Sequence, residues 1–207
     1  LSHIPNLTFF SRATACGTST AISVPCLFSH LRRDDFKVDE AGRYTNLLDA
    51  LSRAGLDVEW RDNNSGCKGV CARVPSIDYA AAADPAFCTE GNCYDEVMLT
   101  DLSAKLQTIT RDTVIVFHQK GSHGPAYYKR YPQAFEKFRP ACKSKDLSQC
   151  SKEEIGNAYD NAILYTDHFL GKAIELLKRN DAKFETALFY LSDHGESLGA
   201  LSVTDIP

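Results

Sequence analysis

The sequence predicts an α/β fold in which a central, mostly parallel sheet lies between layers of helices. Two continuous apolar runs, Thr113–His118 and residues 187–191, are typical of strands buried on both faces. A long stretch of helical periodicity, residues 155–177, lies between them, and this strand–helix–strand order favours helices packed on a sheet. The length of 207 residues is enough for one domain with a sizeable core.

Shorter elements precede these, in chain order. Residues 7–10 form a β-prone run, and residues 20–31 are predicted to form a short helix, with Pro25 as an unfavourable interior residue. Apolar residues at helical spacing predict a second helix over residues 44–54, with a glycine directly after it at the position of a C-terminal stop. Residues 56–60 then alternate like a strand.

One helix start and two long connections complete the predicted architecture. Ser151 and Glu154 have the spacing of a capping box at the start of the long helix. The Cys-rich stretch 66–93 and the segment 127–150 are interpreted as loops over the rim of the sheet.

Composition and charge exclude several classes of protein. The net charge of −4, without a long run of one sign, argues against a nucleic-acid partner, which usually requires a basic patch. No stretch approaches the length of about eighteen apolar residues that a bilayer span needs. Because the chain has neither an initiator Met nor a visible signal peptide, we expect a fragment or a processed domain.

The cysteines form four close pairs in the sequence. An even count in local pairs favours disulfides that staple loops in an oxidising compartment. Thiolate zinc sites are the alternative, because the two central pairs have the spacing of loose zinc knuckles. Pairing between sequence neighbours is the simplest connectivity, but spacing alone does not prove it. The eight residues are Cys16, Cys26, Cys67, Cys71, Cys88, Cys93, Cys142 and Cys150.

Polar residues that directly follow predicted strands are the first candidates for a site, because ligands of an open α/β sheet bind outside the carboxyl ends of its strands. Asp193 and His194 follow the run at 187–191 and offer a carboxylate oxygen and an imidazole nitrogen, both suited to Zn²⁺. The alternative is a polar turn with a helix cap.

A histidine follows the other predicted strand. His123 lies among small residues, and this position favours an exposed, usable imidazole. The alternative is a solvated loop histidine without a role. His118 closes the apolar run and is interpreted as structural.

Hydroxyl groups precede the first predicted helix, in the segment Cys-Gly-Thr-Ser-Thr-Ala at residues 16–21. A hydroxyl at a helix N-terminus faces free N–H groups and the positive end of the dipole, a favourable place for a transferring phosphoryl group. A bound metal can activate such an alkoxide. The alternative is that Thr18, Ser19 or Thr20 only caps the helix.

Together these segments resemble one family, the lipid A phosphoethanolamine transferases, which include the mobile colistin-resistance enzymes. The similar segments occur in the family's order over about residues 6–199. They are residues 16–26, residues 60–65 with Lys68 and Gly69, residues 123–127, residues 157–161 and residues 192–199.

The resemblance implies an alkaline phosphatase/sulfatase-like fold and a zinc-dependent enzyme with one or two Zn²⁺ ions. Thr20 matches the catalytic threonine, which takes phosphoethanolamine from phosphatidylethanolamine and passes it to a lipid A phosphate. Thr20, Asp193 and His194 match metal ligands. His123 matches a histidine that binds a second zinc, contacts substrate or assists proton transfer.

The resemblance also implies a substrate site, disulfides and a location. Thr18, Asn64 and Lys68 match residues proposed to bind the head group, together with His123. The pairs Cys16–Cys26 and Cys142–Cys150 fit the family's local disulfides. The expected location is the periplasmic face of the Gram-negative inner membrane, as a monomer held by an N-terminal anchor outside this chain.

The sequence departs from the family's pattern at both ends. The family's metal-binding glutamate precedes the point where this chain begins, and residues 200–207 differ from the family's continuation towards a further site histidine. We therefore expect residues 1–207 to be part of a single catalytic domain, with weak zinc binding and little turnover on their own. The alternatives are a phosphoglycerol transferase or sulfatase-like hydrolase of the same fold, or an inactive truncated domain.

Overall fold

The computed structural model describes residues 4–82, 84–89 and 91–198. Within them, three strands form a parallel sheet and two form a short antiparallel hairpin. The strands are β1 (Asp57–Asp62), β2 (Ser76–Asp78), β3 (Cys88–Thr89), β4 (Asn92–Cys93) and β5 (Thr113–His118). The α-helices are α1 (Thr20–Leu27), α2 (Leu47–Arg53), α3 (Leu102–Thr108) and α4 (Lys152–Lys178). Short 3₁₀ helices occupy Val38–Arg43, Asp95–Leu99, Tyr127–Lys129, Gln133–Phe135 and Leu147–Gln149.

The parallel sheet has the order β2-β1-β5, and its register brings two strand ends side by side. Asp57 pairs with Thr113 at the start of β1 and β5, and Asp62 pairs with His118 at their carboxyl ends. The loops that follow β1 and β5 therefore leave the sheet at the same edge.

Helices cover both faces of the sheet because successive side chains of a strand point to opposite faces. Trp60 of β1 belongs to a core cluster with Val24 of α1 and Leu48 of α2. On the other face, Phe117 of β5 packs with Phe169 of α4 in a second cluster, to which α3 also contributes. This arrangement confirms the predicted α/β layering.

The helix starts follow the local rules of capping. Ser151 and Glu154 form the predicted capping box at the start of α4, in which each side chain satisfies a backbone N–H of the other residue. Asn46 and Asp49 form a second capping box at the start of α2. Gly55 follows α2 with φ of 96°, a conformation that glycine adopts without steric penalty.

Several predicted elements are wrong or shorter than expected. Residues 187–191 do not form a strand, and Phe189 is 88% exposed. Residues 7–10 are also irregular, with Phe9 and Phe10 exposed. A β-strand needs a hydrogen-bonded neighbour, and apolar β-branched composition alone does not supply one. The first helix ends at Leu27 and not at residue 31.

All four cysteine pairs are joined as neighbours in the sequence: Cys16–Cys26, Cys67–Cys71, Cys88–Cys93 and Cys142–Cys150. The stretch predicted as a Cys-rich loop holds short β-strands, and the hairpin of β3 and β4 is closed by Cys88–Cys93. No helix among the described residues has the length and apolar character needed to cross a bilayer. Residues 200–207, which differ from the family's sequence pattern, lie outside the described residues.

Candidate active site

A cavity of about 450 Å³ lies where the loops after β1 and β5 meet the start of α1 and the segment that follows residue 191. Fourteen residues line it, and most are polar or small. They are Thr18, Ser19, Thr20, Ala21, Ser65, Lys68, His123, Gly124, Pro125, Tyr127, Leu147, His194, Glu196 and Ser197.

Thr20 is the first residue of α1 and its side chain is almost fully buried. Ser19 holds the N-cap position, although its side chain makes no capping hydrogen bond. The turn before the helix is held by Ser23 instead, whose hydroxyl donates to the carbonyl of Gly17 and accepts from its N–H, both at 3.1 Å. This local structure leaves the Thr20 hydroxyl free to face the cavity.

The Thr20 hydroxyl oxygen lies 3.4 Å from Nε2 of His194, across 174 positions of sequence. Nδ1 of His194 lies 2.7 Å from the carbonyl oxygen of Gly195. Because a carbonyl only accepts hydrogen bonds, Nδ1 carries the proton and Nε2 of the neutral ring presents a lone pair to Thr20. The sequence-predicted pair of nucleophile and imidazole is therefore brought together.

Asp193 adds a second lone pair to the same place. Its Oδ2 atom lies 3.5 Å from Nε2 of His194, is buried, and is one of the described buried side-chain atoms without a hydrogen-bond partner. In the tautomer with Nδ1 protonated, both atoms are acceptors, an arrangement suited to a bound cation.

The donor set of Thr20, Asp193 and His194 fits part of a zinc site. Zinc takes oxygen and nitrogen ligands, and the three side chains offer a hydroxyl oxygen, a carboxylate oxygen and an imidazole nitrogen. In the part of the chain that the structure describes, no three His, Cys, Asp or Glu side chains cluster as metal ligands.

His123 has the same tautomer as His194, for the same reason. Its Nδ1 atom donates to the carbonyl of Gly124 at 2.7 Å, so that Nε2 carries the lone pair of the neutral ring. The side chain is exposed on the cavity wall, as expected from its loop position. The geometry allows His123 to accept a proton at Nε2 and to return it.

Asp62 holds the loop after β1 in place. Its Oδ1 atom accepts from the backbone N–H of Asn64 at 2.8 Å and of Gly66 at 3.2 Å. Its Oδ2 atom accepts from Nε1 of Trp60 at 2.8 Å and from Nδ1 of His118 at 2.9 Å. Although burial opposes ionisation, these hydrogen bonds and the nearby His118 lower the pKa of Asp62 to about 2.

The predicted head-group residues have different environments. Lys68 and Thr18 line the cavity, and Nζ of Lys68 donates to the hydroxyl of Ser65 at 2.8 Å. Lys68 has φ of 52°, a left-handed conformation that is unusual for a residue with a side chain and that turns the backbone of the loop at this position. Asn64 is not among the lining residues; its amide donates to the carbonyl of Gln119 at 2.9 Å and ties the two loops together.

Glu196 is a cavity residue that was not among the predicted candidates. Its carboxylate accepts from the N–H of Gly124 and from the hydroxyl of Tyr127, both at 3.3 Å. Burial, with Glu196 nearby, raises the pKa of Tyr127 to about 12. A side chain at position 124 would place Cβ 2.7 Å from the Tyr127 oxygen, so Tyr127 would have to move to accommodate it. The available signal was the position of Glu196 two residues after His194.

Sequence comparison gives strong relatives over nearly the whole chain. Phosphoethanolamine transferase EptA of Escherichia coli (strain K12) is 47% identical over 194 residues, covering 94% of this chain and 36% of that protein. Phosphatidylethanolamine transferase Mcr-1 of Escherichia coli is 44% identical over 206 residues, covering 96% of this chain and 38% of that protein. The chain thus spans a little over a third of the length of these curated relatives.

Solved structures agree with the sequence comparison. The soluble domain of lipooligosaccharide phosphoethanolamine transferase A from Neisseria meningitidis superposes with a TM-score of 0.82 at 40% identity, covering 93% of this chain and 60% of that one. The C-terminal periplasmic domain of phosphoethanolamine transferase EptC from Campylobacter jejuni gives a TM-score of 0.79 at 41% identity, covering 93% and 61%. These neighbours confirm the predicted alkaline phosphatase/sulfatase-like fold.

The sulfatase family matches residues 2–205, and the matched span includes each of the cavity loops described above. Since both the sequence match and the fold extend over nearly all of it, the chain belongs to the sulfatase family.

Proposed function

We propose that the protein transfers phosphoethanolamine from phosphatidylethanolamine to a phosphate of lipid A through a covalent intermediate on Thr20. The observation that carries this proposal is the contact of the Thr20 hydroxyl with Nε2 of His194 in a polar cavity. The relatives named phosphoethanolamine transferases support the choice of the transferred group.

The first half of the reaction forms a bond between the Thr20 oxygen and phosphorus. It breaks the bond from phosphorus to the glycerol oxygen of the donor, and diacylglycerol leaves with the proton that Thr20 loses. His123 takes that proton at Nε2 and returns it to the leaving oxygen, because its exposed ring reaches the cavity in the neutral tautomer.

The second half returns the enzyme to its starting state. A hydroxyl oxygen of the lipid A phosphate gives its proton to His123 and attacks the same phosphorus, the Thr20–phosphorus bond breaks, and His123 passes that proton to the Thr20 oxygen. The sequence of two displacements predicts ping-pong kinetics.

Thr20, Asp193 and His194 would hold Zn²⁺ in this proposal. When bound, zinc stabilises negative charge on the Thr20 oxygen and on the phosphoryl oxygens. The unpartnered Oδ2 of Asp193 and the lone pair on Nε2 of His194 support this donor set.

The zwitterionic head group has partners of both charges in the cavity. Lys68, Thr18 and Glu196 line the cavity, and in this proposal Lys68 and the Thr18 hydroxyl bind phosphoryl oxygens while the Glu196 carboxylate binds the ammonium of ethanolamine. Asn64 contributes by holding the Lys68 loop against the loop that carries His123.

The proposed setting is the periplasmic face of the inner membrane, with residues 1–207 as part of a catalytic domain. The four disulfides support an oxidising compartment. One structural neighbour is itself a periplasmic domain. We propose that the domain acts as a monomer and that both lipid substrates reach it from the membrane surface.

Intact mass spectrometry of a zinc-loaded, full-length version of the protein incubated with phosphatidylethanolamine tests the proposal. We expect a mass increase of one phosphoethanolamine, lost completely in Thr20→Ala and retained in Thr20→Ser, which keeps the hydroxyl. An increase that persists in Thr20→Ala would place the nucleophile elsewhere. Phosphatidylglycerol as donor is the matched control, and preferential transfer from it would indicate a phosphoglycerol transferase instead.

A further inference from the structure

Asp95 is a buried carboxylate outside the cavity, at the start of the 3₁₀ turn after the β3–β4 hairpin. Its two oxygens accept three N–H groups: Nδ2 of Asn63 at 2.7 Å and the backbone N–H groups of Lys120 and Gly121, both at 2.9 Å. All three donors belong to the loops that follow β1 and β5. Asp95 therefore joins the two loops that form one wall of the cavity.

The backbone groups bound by Asp95 belong to the turn that presents His123. The N–H of His123 donates to the carbonyl of Lys120 at 3.1 Å, closing the turn, and Gly121 adopts φ of 52° inside it. Fixing the N–H groups of Lys120 and Gly121 thus fixes the backbone from which the His123 imidazole projects.

A second contact, from Arg130, holds the backbone at His123 itself. Nε of Arg130 donates to the carbonyl of His123 at 2.7 Å, and Nη1 of Arg130 donates to the side chain of Asn92 at 2.8 Å. The hairpin that carries Asn92 is closed by the disulfide Cys88–Cys93. The backbone around His123 is therefore held by Asp95 through the N–H groups of Lys120 and Gly121, and by Arg130, which in turn donates to Asn92.

A buried carboxylate is unfavourable unless several donors satisfy it. Burial raises the pKa of Asp95, and hydrogen bonds from Asn63, Lys120 and Gly121 act against that shift. A neutral side chain at this position would avoid the burial penalty, but it would leave at least one of the N–H groups in the His123 turn without an acceptor.

We propose that Asp95 is a positioning residue for His123, which it holds with Nδ1 protonated towards Gly124 and Nε2 directed to the cavity. The inference rests on the proposed function only in the catalytic role given to His123. The geometric part concerns the chain alone and is testable without any substrate.

The variant Asp95→Asn tests this assignment, because it keeps the size of the side chain but replaces one accepting oxygen with an NH₂ group. Imidazole ¹⁵N shifts of the zinc-free protein report the His123 tautomer. We expect the Nδ1–H form in the wild type and a mixture of both tautomers in the variant. The amides of Lys120 and Gly121 should exchange at least about tenfold faster, and kcat of the full-length enzyme should fall about ten- to a hundredfold.

Asp49→Asn is the matched control. Asp49 is also a buried carboxylate with backbone and side-chain donors, but it caps α2 and pairs with Arg73 outside the cavity. We expect Asp49→Asn to lower stability while leaving the His123 tautomer, the two exchange rates and kcat unchanged.

An Asp95→Asn protein that folds with the wild-type tautomer and exchange rates would overturn the proposal. If the variant does not fold, fast exchange of the Lys120 and Gly121 amides in the wild type would overturn it equally. A wild-type protein that shows no phosphoethanolamine transfer refutes the proposed function but leaves the tautomer and exchange results as evidence on positioning.

Discussion

Two regions supply the groups of the cavity, and they are held in different ways. The loops after β1 and β5 leave a hydrogen-bonded pair of strands and are tied to each other by Asn64 and by the buried carboxylate of Asp95. The buried carboxylate of Asp62 holds the loop after β1 against the end of β5. The segment that carries Asp193 and His194 follows an exposed apolar run, and the contacts that hold these two residues are few.

The difference shows what organises a site at a sheet edge. Strand pairing sets where a loop begins, and buried acceptors then set the course of its backbone. Near His194 the group that fixes the backbone comes from a neighbouring residue, because the Ser192 hydroxyl donates to the His194 carbonyl at 2.6 Å. We therefore expect changes in the β1–β5 region to have large effects and changes in the exposed run to have small ones.

The largest effect is expected from Trp60→Ala in β1. Trp60 is fully buried, packs at steep angles against the rings of Phe28 and His118 with centroids at 5.6 and 5.3 Å, and donates to Asp62. Removing the indole should lower the free energy of unfolding by about 3–5 kcal/mol. Urea unfolding followed by far-UV circular dichroism measures the change in the free energy of unfolding. A loss below about 1 kcal/mol would contradict the close packing of Trp60 in the β1–β5 region.

A smaller, pH-dependent effect is expected from Asp62→Asn. The folded-state pKa of Asp62 is about 2 against an ordinary value of 3.8, so its ionised form contributes about 2 kcal/mol of stability above pH 4 or so. Because the folded pKa is lowered, this contribution is lost as the pH falls from about 4 towards 2.

Unfolding free energies of the wild type and Asp62→Asn between pH 2 and 7 measure this contribution. The difference between the two proteins should be greatest at neutral pH and should shrink in acid. Asp57→Asn, at the exposed start of β1, is the matched control and should leave the wild-type profile nearly unchanged. A constant difference across the range would show that Asp62 acts through packing and not through its charge.

The smallest effect is expected from Phe189→Ala in the exposed run. With 88% of the side chain exposed, its truncation should change the free energy of unfolding by less than about 0.5 kcal/mol. The same urea titration applies. A loss of about 2 kcal/mol or more would mean that this run is buried in solution and that the two regions are more alike than the structure shows.

Local sequence patterns were sufficient for the elements whose signals are local. The strand Thr113–His118 was predicted at its observed bounds, and the capping box of Ser151 with Glu154 marks the observed start of α4. The run at 187–191 has similar composition, yet it is not a strand, because pairing depends on a neighbour that composition does not specify.

The residues of the candidate site also differ in whether local sequence signals could identify them. Positions after predicted strands selected His123 and His194, whereas Thr20 was selected by the family resemblance from the hydroxyl residues at the helix start. Thr20, His123 and His194 line one cavity. Glu196 and Asp95 were not chosen, because their significance lies in the N–H and hydroxyl groups that other loops bring to them.

The sequence by itself determined the α/β class, the long helix with its cap, and the residue types able to hold a phosphoryl group and a metal. Only the tertiary structure decided that the Thr20 hydroxyl contacts His194 across 174 positions, and that Asp62 and Asp95 hold the facing loops. The physical reason is the distance along the chain over which the interactions act. Periodicity and capping arise from residues a few positions apart, whereas a cavity at a sheet edge forms where parallel strands from distant parts of the chain end together.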